Sequence, residues 1–164
     1  NPDPTLLAAL ALAGCRFDVA SPAEITAAVL AGAHAGELVY SNPVKRREDV
    51  RFAARLGVDL FDCVLPRRHA RHGTVLTGAG RLMIKNLAYE RDEGPLDVDC
   101  TCPVCARWSR AYLRHLFRVG EPTGARLLTI HNVVWLSNLV VGLRSAIAAG
   151  RFESARRAVL DVWG

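Results

Sequence analysis

The chain has 164 residues, 51% of them apolar; that is enough mass to bury one core, yet too little for a complete (β/α)8 barrel, which needs about 250 residues and rarely fewer than about 200. A net charge of +5 suits a polyanionic partner without requiring one. The odd count of five cysteines, three of them crowded between positions 100 and 105, argues against a disulfide framework and for a metal held in a reducing compartment.

From the N-terminus, Asp3 reads as an N-cap with Pro4 at the first helical position, and the segment over 6–12 favours a helix that Gly14 can end. A short strand is predicted over 16–20. Ser21-Pro22-Ala23-Glu24 is a capping box that opens a second helix running to about residue 31. The next strand is predicted over 38–40, and Asn42-Pro43 breaks it. A third helix follows over 46–56, with Val50, Phe52, Ala53 and Leu56 at core spacing. Lys45, Arg46, Arg47 and Arg51 read as a solvated face. The run from Val58 to Leu65 predicts a buried strand closed by Pro66, with Asp62 the unusual carboxylate inside it. Alternating helices and strands with short connections imply parallel strands, whose ends would bring Asp18, Asn42 and Asp62 to one rim.

A cationic loop then carries Arg67, Arg68, His69, Ala70 and Arg71. Residues 74–77 and 81–86 flank Gly78-Ala79-Gly80 and predict an antiparallel hairpin. Beyond the cysteines, a helix over 106–119 is expected to turn Trp108, Tyr112, Leu116 and Val119 to one face. A strand is predicted over 127–130, a long helix over 131–149, and an amphipathic helix over 152–162. The longest uncharged run, over 133–143, is too short to span a bilayer, and the N-terminus lacks a basic leader; the expectation is a soluble cytoplasmic protein with no membrane partner.

Cys100, Cys102 and Cys105 with His131 supply three thiolates and one imidazole, the ligand set of a closed tetrahedral zinc site. With no open coordination position implied, such a zinc is structural. Cys15 and Cys63 are most simply small buried hydrophobes. Read from the residues alone, Asp62 either faces a site or caps the loop, and the cations beside it either meet phosphate or are merely solvated.

The string Phe61-Asp62-Cys63-Val64-Leu65-Pro66 with the arginines after it resembles the nucleophile strand and RNA-contacting loop of tRNA-guanine transglycosylases. The likeness continues through Asn86-Leu87-Ala88-Tyr89, Gly94-Pro95-Leu96-Asp97, the three cysteines, Ser109 to Leu113, and Gly124 to Asn132. It implies base exchange at the wobble guanine of tRNA in the queuosine pathway. Asp62 would be the catalytic nucleophile, forming a covalent ester with the ribose. Residues 67 to 71 would bind RNA, the incoming base would be queuine or a 7-deazaguanine precursor, and Cys100, Cys102, Cys105 and His131 would hold Zn2+. Arg67 stands where that family usually has threonine.

Upstream, Asn1-Pro2-Asp3-Pro4, Phe17 to Ser21 with Glu24, and Tyr40 to Lys45 resemble the barrel of ornithine/diaminopimelate-type pyridoxal-phosphate decarboxylases. The expected division is therefore 1–57, decarboxylase-like, and 58–164, transglycosylase-like. Asp18 resembles a residue lining the cofactor pocket, but no residue matches the Schiff-base lysine, so pyridoxal chemistry is not expected. The fold expected is α/β, an incomplete (β/α)8-type barrel with a zinc-binding hairpin and helical subdomain. Open barrel edges imply a homo-oligomer or a barrel-completing partner. Two other functions stay open: a non-catalytic zinc module that binds RNA or a partner, and a decarboxylase fragment.

Overall fold

The computed structural model describes residues 3–42 and 45–164, so the Pro43 and Val44 part of the expected strand break lies outside them. The chain divides into two compact units, Asn1–Val64 and Leu65–Gly164.

The first unit alternates helix and strand as its sequence predicts. Helix α1 (Pro4–Leu12) starts where the Asp3 carboxylate accepts from the amides of Thr5 and Leu6. After strand β1 (Phe17–Val19), helix α2 (Pro22–Leu30) is capped by Ser21, whose Oγ accepts from Glu24 N. Glu24 reaches back to the amide of Ala20, one residue earlier than in a reciprocal box. Strand β2 (Leu38–Tyr40), helix α3 (Arg47–Arg55) and strand β3 (Leu60–Phe61) complete the unit. The three strands are parallel in the order β1-β2-β3, with Phe17 opposite Leu38 and Val39 opposite Leu60.

Ile25, Ala28, Leu38, Tyr40, Ala53 and Val58 form its core. The expected inner face of α3 is only partly realised: Ala53 is buried, whereas Phe52 and Leu56 are 36% and 40% exposed. A three-stranded sheet gives that helix too narrow a surface for a wide apolar stripe. The mixed α/β arrangement is as expected, but the described residues form no closed barrel. The strand predicted over 58–65 is also shorter than expected, since pairing reaches only Leu60 and Phe61.

In the second unit, residues 65–71 are not a loop. Helix α4 (Leu65–His72) holds all five of the expected cationic-loop residues. Pro66 lies in its first turn, where a missing N–H costs nothing, and Ala70 and the arginines are good helix formers. Gly73, at φ +86°, ends the helix in the left-handed region that favours glycine. Strands β4 (Thr74–Thr77) and β5 (Gly80–Met83) then pair antiparallel across Gly78-Ala79, as the sequence predicts. Thr77 Oγ1 locks the turn, donating to Gly80 O and accepting from Ala79 N.

Helix α5 (Arg110–Arg118) begins later than predicted because Ser109 caps it, its Oγ accepting from Tyr112 N. Its buried side chains are Leu113 and Leu116, while Tyr112 and Val119 face solvent. The strand expected over 127–130 does not form. Helix α6 runs unbroken over Pro122–Ala148, with Glu121 as N-cap and Pro122 at its first position. The β-branched Thr129, Ile130, Val133 and Val134 suggest a strand locally, but Leu128, His131 and Asn132 share one helical face and all are buried. Helix α7 (Phe152–Trp163) closes the chain and packs on α6.

By length and composition α6 could cross a membrane, which corrects the expectation drawn from its uncharged run alone. Its first half, however, packs against α4, β4 and α5, and two buried polar side chains in its middle are tied to that unit. The core of the unit is Ala70, Val75, Ile84, Leu96, Cys102, Val104, Leu113, Leu116 and Leu128.

Candidate metal centre and cationic helix

The loop after β5 and the middle of α6 meet at four side chains. The ligand atoms of Cys100, Cys102, Cys105 and His131 all lie within 4.8 Å of one another. His131 Nδ1 stands 3.7, 3.5 and 3.3 Å from the sulfurs of Cys100, Cys102 and Cys105. A tetrahedral zinc with metal–sulfur bonds of about 2.3 Å and metal–nitrogen bonds of about 2.0–2.1 Å sets that separation near 3.5 Å. The residues fit the ion by distance as well as by chemistry.

The surroundings fix the imidazole. His131 Nε2 lies 2.9 Å from Leu76 O, a partner that can only accept, so Nε2 carries the proton and Nδ1 offers its lone pair to the cluster. The Cys105 amide donates to Cys102 Sγ at 3.4 Å. Burial pushes the Cys100 thiol up and the Cys105 thiol up to about 12, and burial also lowers His131. Without a metal the Cys100 and Cys105 thiols would stay protonated at neutral pH, so ion binding must release protons. Asp97, almost fully buried, accepts from Gly78 N and Asp99 N, joining the hairpin turn to the cysteine loop.

Asn132, the residue after the ligand, was not singled out by sequence. Its carboxamide is fully buried and completely used: Oδ1 accepts from Leu76 N at 2.9 Å, and Nδ2 donates to Pro66 O at 3.1 Å and Thr74 O at 3.0 Å. One side chain thus ties α6 to the start of α4 and to β4. The adjacent pair His131-Asn132 beside a cysteine cluster was the available signal.

Of the cationic residues, Arg67, Arg68 and Arg71 are exposed on α4. Ala70 is fully buried in the core, so its side chain cannot contact RNA, which corrects its place among the expected contacts. Burial, together with the charges of Arg81, Arg68 and His72, lowers the His69 imidazole from its ordinary value.

Asp62 belongs to the first unit, just past β3. Its side chain is exposed, and its amide donates to Tyr40 O at 3.0 Å. Lys45, expected on a solvated face, donates from Nζ to the carbonyls of Asn42 and Asp62 and lies over the Tyr40 ring, so it ties the end of β2 to the end of β3 at Asp62. Asn42 Nδ2 donates to Ala20 O across the same edge. Asp18 sits within β1 and lines a cavity of about 540 Å³ with Leu7, Phe17 and Glu24. Cys63 is exposed and Cys15 half-buried, so neither is the buried hydrophobe expected.

The family model described as queuine tRNA-ribosyltransferase matches residues 9–164. The match begins ahead of residue 57 and so runs through the segment with decarboxylase-like motifs. Among curated relatives, the queuine tRNA-ribosyltransferase of Desulforudis audaxviator is 54% identical over 104 residues, covering 63% of this chain and 28% of the relative. That of Moorella thermoacetica is 55% identical over 97 residues, 59% of this chain and 26% of the relative. That of Novosphingobium aromaticivorans is 48% identical over 115 residues, 70% and 31%. The chain spans about a quarter to a third of the length of the curated relatives it matches.

Proposed function

Because the chain belongs to the queuine tRNA-ribosyltransferase family, we propose that it serves base exchange at the wobble guanine of tRNA, as the zinc-stapled, RNA-holding part of that reaction. The observation that carries this reading is the convergence of Cys100, Cys102, Cys105 and His131 within 4.8 Å, the ligand set of the family's structural zinc. Zinc bound there supplies no chemistry to the substrate; it holds the cysteine loop on α6, and through Asn132 the same stretch of α6 holds α4.

In this reading Asp62 attacks the anomeric carbon of the nucleotide, guanine departs with the bonding pair, and the ribose remains as an ester until queuine or a 7-deazaguanine-type base displaces the carboxylate. Exposure of Asp62 on an edge ordered by Lys45 supports the role. Arg67, Arg68, His69 and Arg71 hold the anticodon backbone. The three parallel strands are read as an arc of a (β/α) barrel, residues 1–57 as its decarboxylase-like segment and 58–164 as its transglycosylase-like part. Sequencing the genomic locus across Gly57 tests that division, and a gene without a junction there would refute it. A cytoplasmic location goes with this substrate; cell fractionation that finds the chain in membranes would count against it.

A second reading, an RNA-binding zinc module without catalysis, is favoured by the metal ligands and the cationic helix α4 both belonging to the unit 65–164, whereas Asp62 belongs to the other unit. Expelling guanine needs a base pocket and a proton-managing group, and general acid–base assistance is typically worth about 100-fold to 10,000-fold. Of the residues given a role above, none supplies that pocket or that proton. These 164 residues are therefore expected to bind tRNA without incorporating labelled guanine. Incorporation that is lost in Asp62→Asn would overturn this expectation and establish catalysis by the chain itself.

Self-association is also expected. Among the described residues β1 and β3 each pair with β2 alone in their sheet, and Leu60 is 57% exposed on β3, which favours a second copy or a completing partner. Light scattering should give a mass above that of one chain at micromolar concentration; a clean monomer would refute it.

A further inference from the structure

We propose that Arg126, on α6, joins Arg67 and Arg71, on α4, in a groove that holds the phosphodiester backbone of RNA; the inference rests on the RNA-binding reading above and adds a residue to it. Arg67 and Arg71 are four positions apart and share one face of α4, as Arg126, Thr129 and Ile130 share one face of α6. Together with Ala125 these six residues line a groove of about 330 Å³. Its walls contain three guanidinium groups and no carboxylate. Among the described residues, the ion pairs formed by arginine involve Arg46, Arg110, Arg114 and Arg156, and none involves these three.

Three like charges gathered without a counter-charge repel one another, and a surface that only needed solubility would intersperse the signs. An anion is the occupant that relieves them. The groove holds no aromatic ring on which a base could stack. Its one hydroxyl, Thr129 Oγ1, already donates to Ala125 O at 2.8 Å. Guanidinium forks alone remain, and they match phosphate oxygens two at a time. Such a groove positions a strand without reading its bases, so its contribution should be the same for any loop sequence.

The test is binding of a fluorescent hairpin RNA with guanine at the wobble position, titrated at several salt concentrations. The proteins compared are the unmodified chain, Arg126→Ala, Arg126→Lys, Arg71→Ala, and Arg156→Ala as an arginine of equal charge outside the groove, paired with Glu153. Arg126→Ala should weaken binding on the order of tenfold and reduce the salt slope by about 0.7, the increment for one contact to single-stranded phosphate. Arg126→Lys should keep the slope but not the full affinity. Arg156→Ala should change little, and metal content should be unaltered throughout.

If Arg71→Ala weakens binding and Arg126→Ala does not, the groove assignment fails while the RNA reading stands. An equal loss from Arg156→Ala would also overturn it, as net charge alone would then explain the effect. If the unmodified chain binds no RNA, the RNA reading falls, and this inference with it.

Discussion

Cys102→Ala, or removal of the metal by a chelator, should unfold the unit 65–164. A structural zinc with this kind of ligand set contributes apparent binding free energies of about 10–16 kcal/mol in small domains. The net stability of a whole domain is about 5–15 kcal/mol, so losing the ion removes as much as the fold has in hand. Cys102 is the informative position because its thiol is buried and also accepts the Cys105 amide, so its loss breaks both the coordination set and the loop. One zinc per chain should survive mild dialysis of the unmodified protein. Cys63→Ala, at an exposed cysteine outside the cluster, should change neither zinc content nor melting. Absence of stoichiometric zinc, or a Cys102→Ala protein that melts normally, would remove the metal assignment.

Asn132→Ala should be the most damaging substitution outside the metal ligands. It leaves the Leu76 amide and the carbonyls of Thr74 and Pro66 without their side-chain partner in a fully buried place. Each unsatisfied buried group costs about 1–3 kcal/mol, so a total of about 3–5 kcal/mol is expected after partial relaxation. For a domain of this size each kcal/mol shifts Tm by about 4–8 °C, which puts the fall above about 10 °C. Asn132→Asp should be no better, because an ionised carboxylate cannot donate to two carbonyls. A melting curve within a few degrees of the unmodified protein would mean that α6 does not hold α4 through this residue.

These two positions also mark where the sequence was legible. The helices and strands of the first unit, the β4–β5 hairpin and the four metal ligands follow from local chemistry: Asp3 and Ser21 as caps, the Gly-Ala-Gly turn, and thiols too closely spaced to be incidental. What was missed depends on long-range packing. Thr129 and Ile130 favour a strand in isolation, but the helix places Leu128, His131 and Asn132 on the one face that the core and the metal loop require. Pro66 reads equally well as a strand's end or a helix's first turn, and the burial of Ala70 decides for the helix. The role of Asn132 spans 56 to 66 positions of chain, beyond the reach of any local pattern. Arg126 carries no motif either; only the approach of α6 to α4 sets it beside Arg67 and Arg71.

We propose that the Cys3His site builds the surface that holds tRNA. It is tested most directly by measuring the affinity of the wobble-guanine hairpin for the zinc-loaded chain and for the same chain stripped of zinc, at a physiological salt of about 0.15 M, where unorganised charge is largely screened. Zinc loading adds two positive charges but releases at least the Cys100 and Cys105 protons, so it leaves the net charge no higher than +5, and tighter binding by the loaded chain reports how the cations are arranged. Zinc-loaded protein should bind at least about tenfold more tightly, with a steep salt dependence from several ordered phosphate contacts. Equal affinity with and without zinc would contradict the claim.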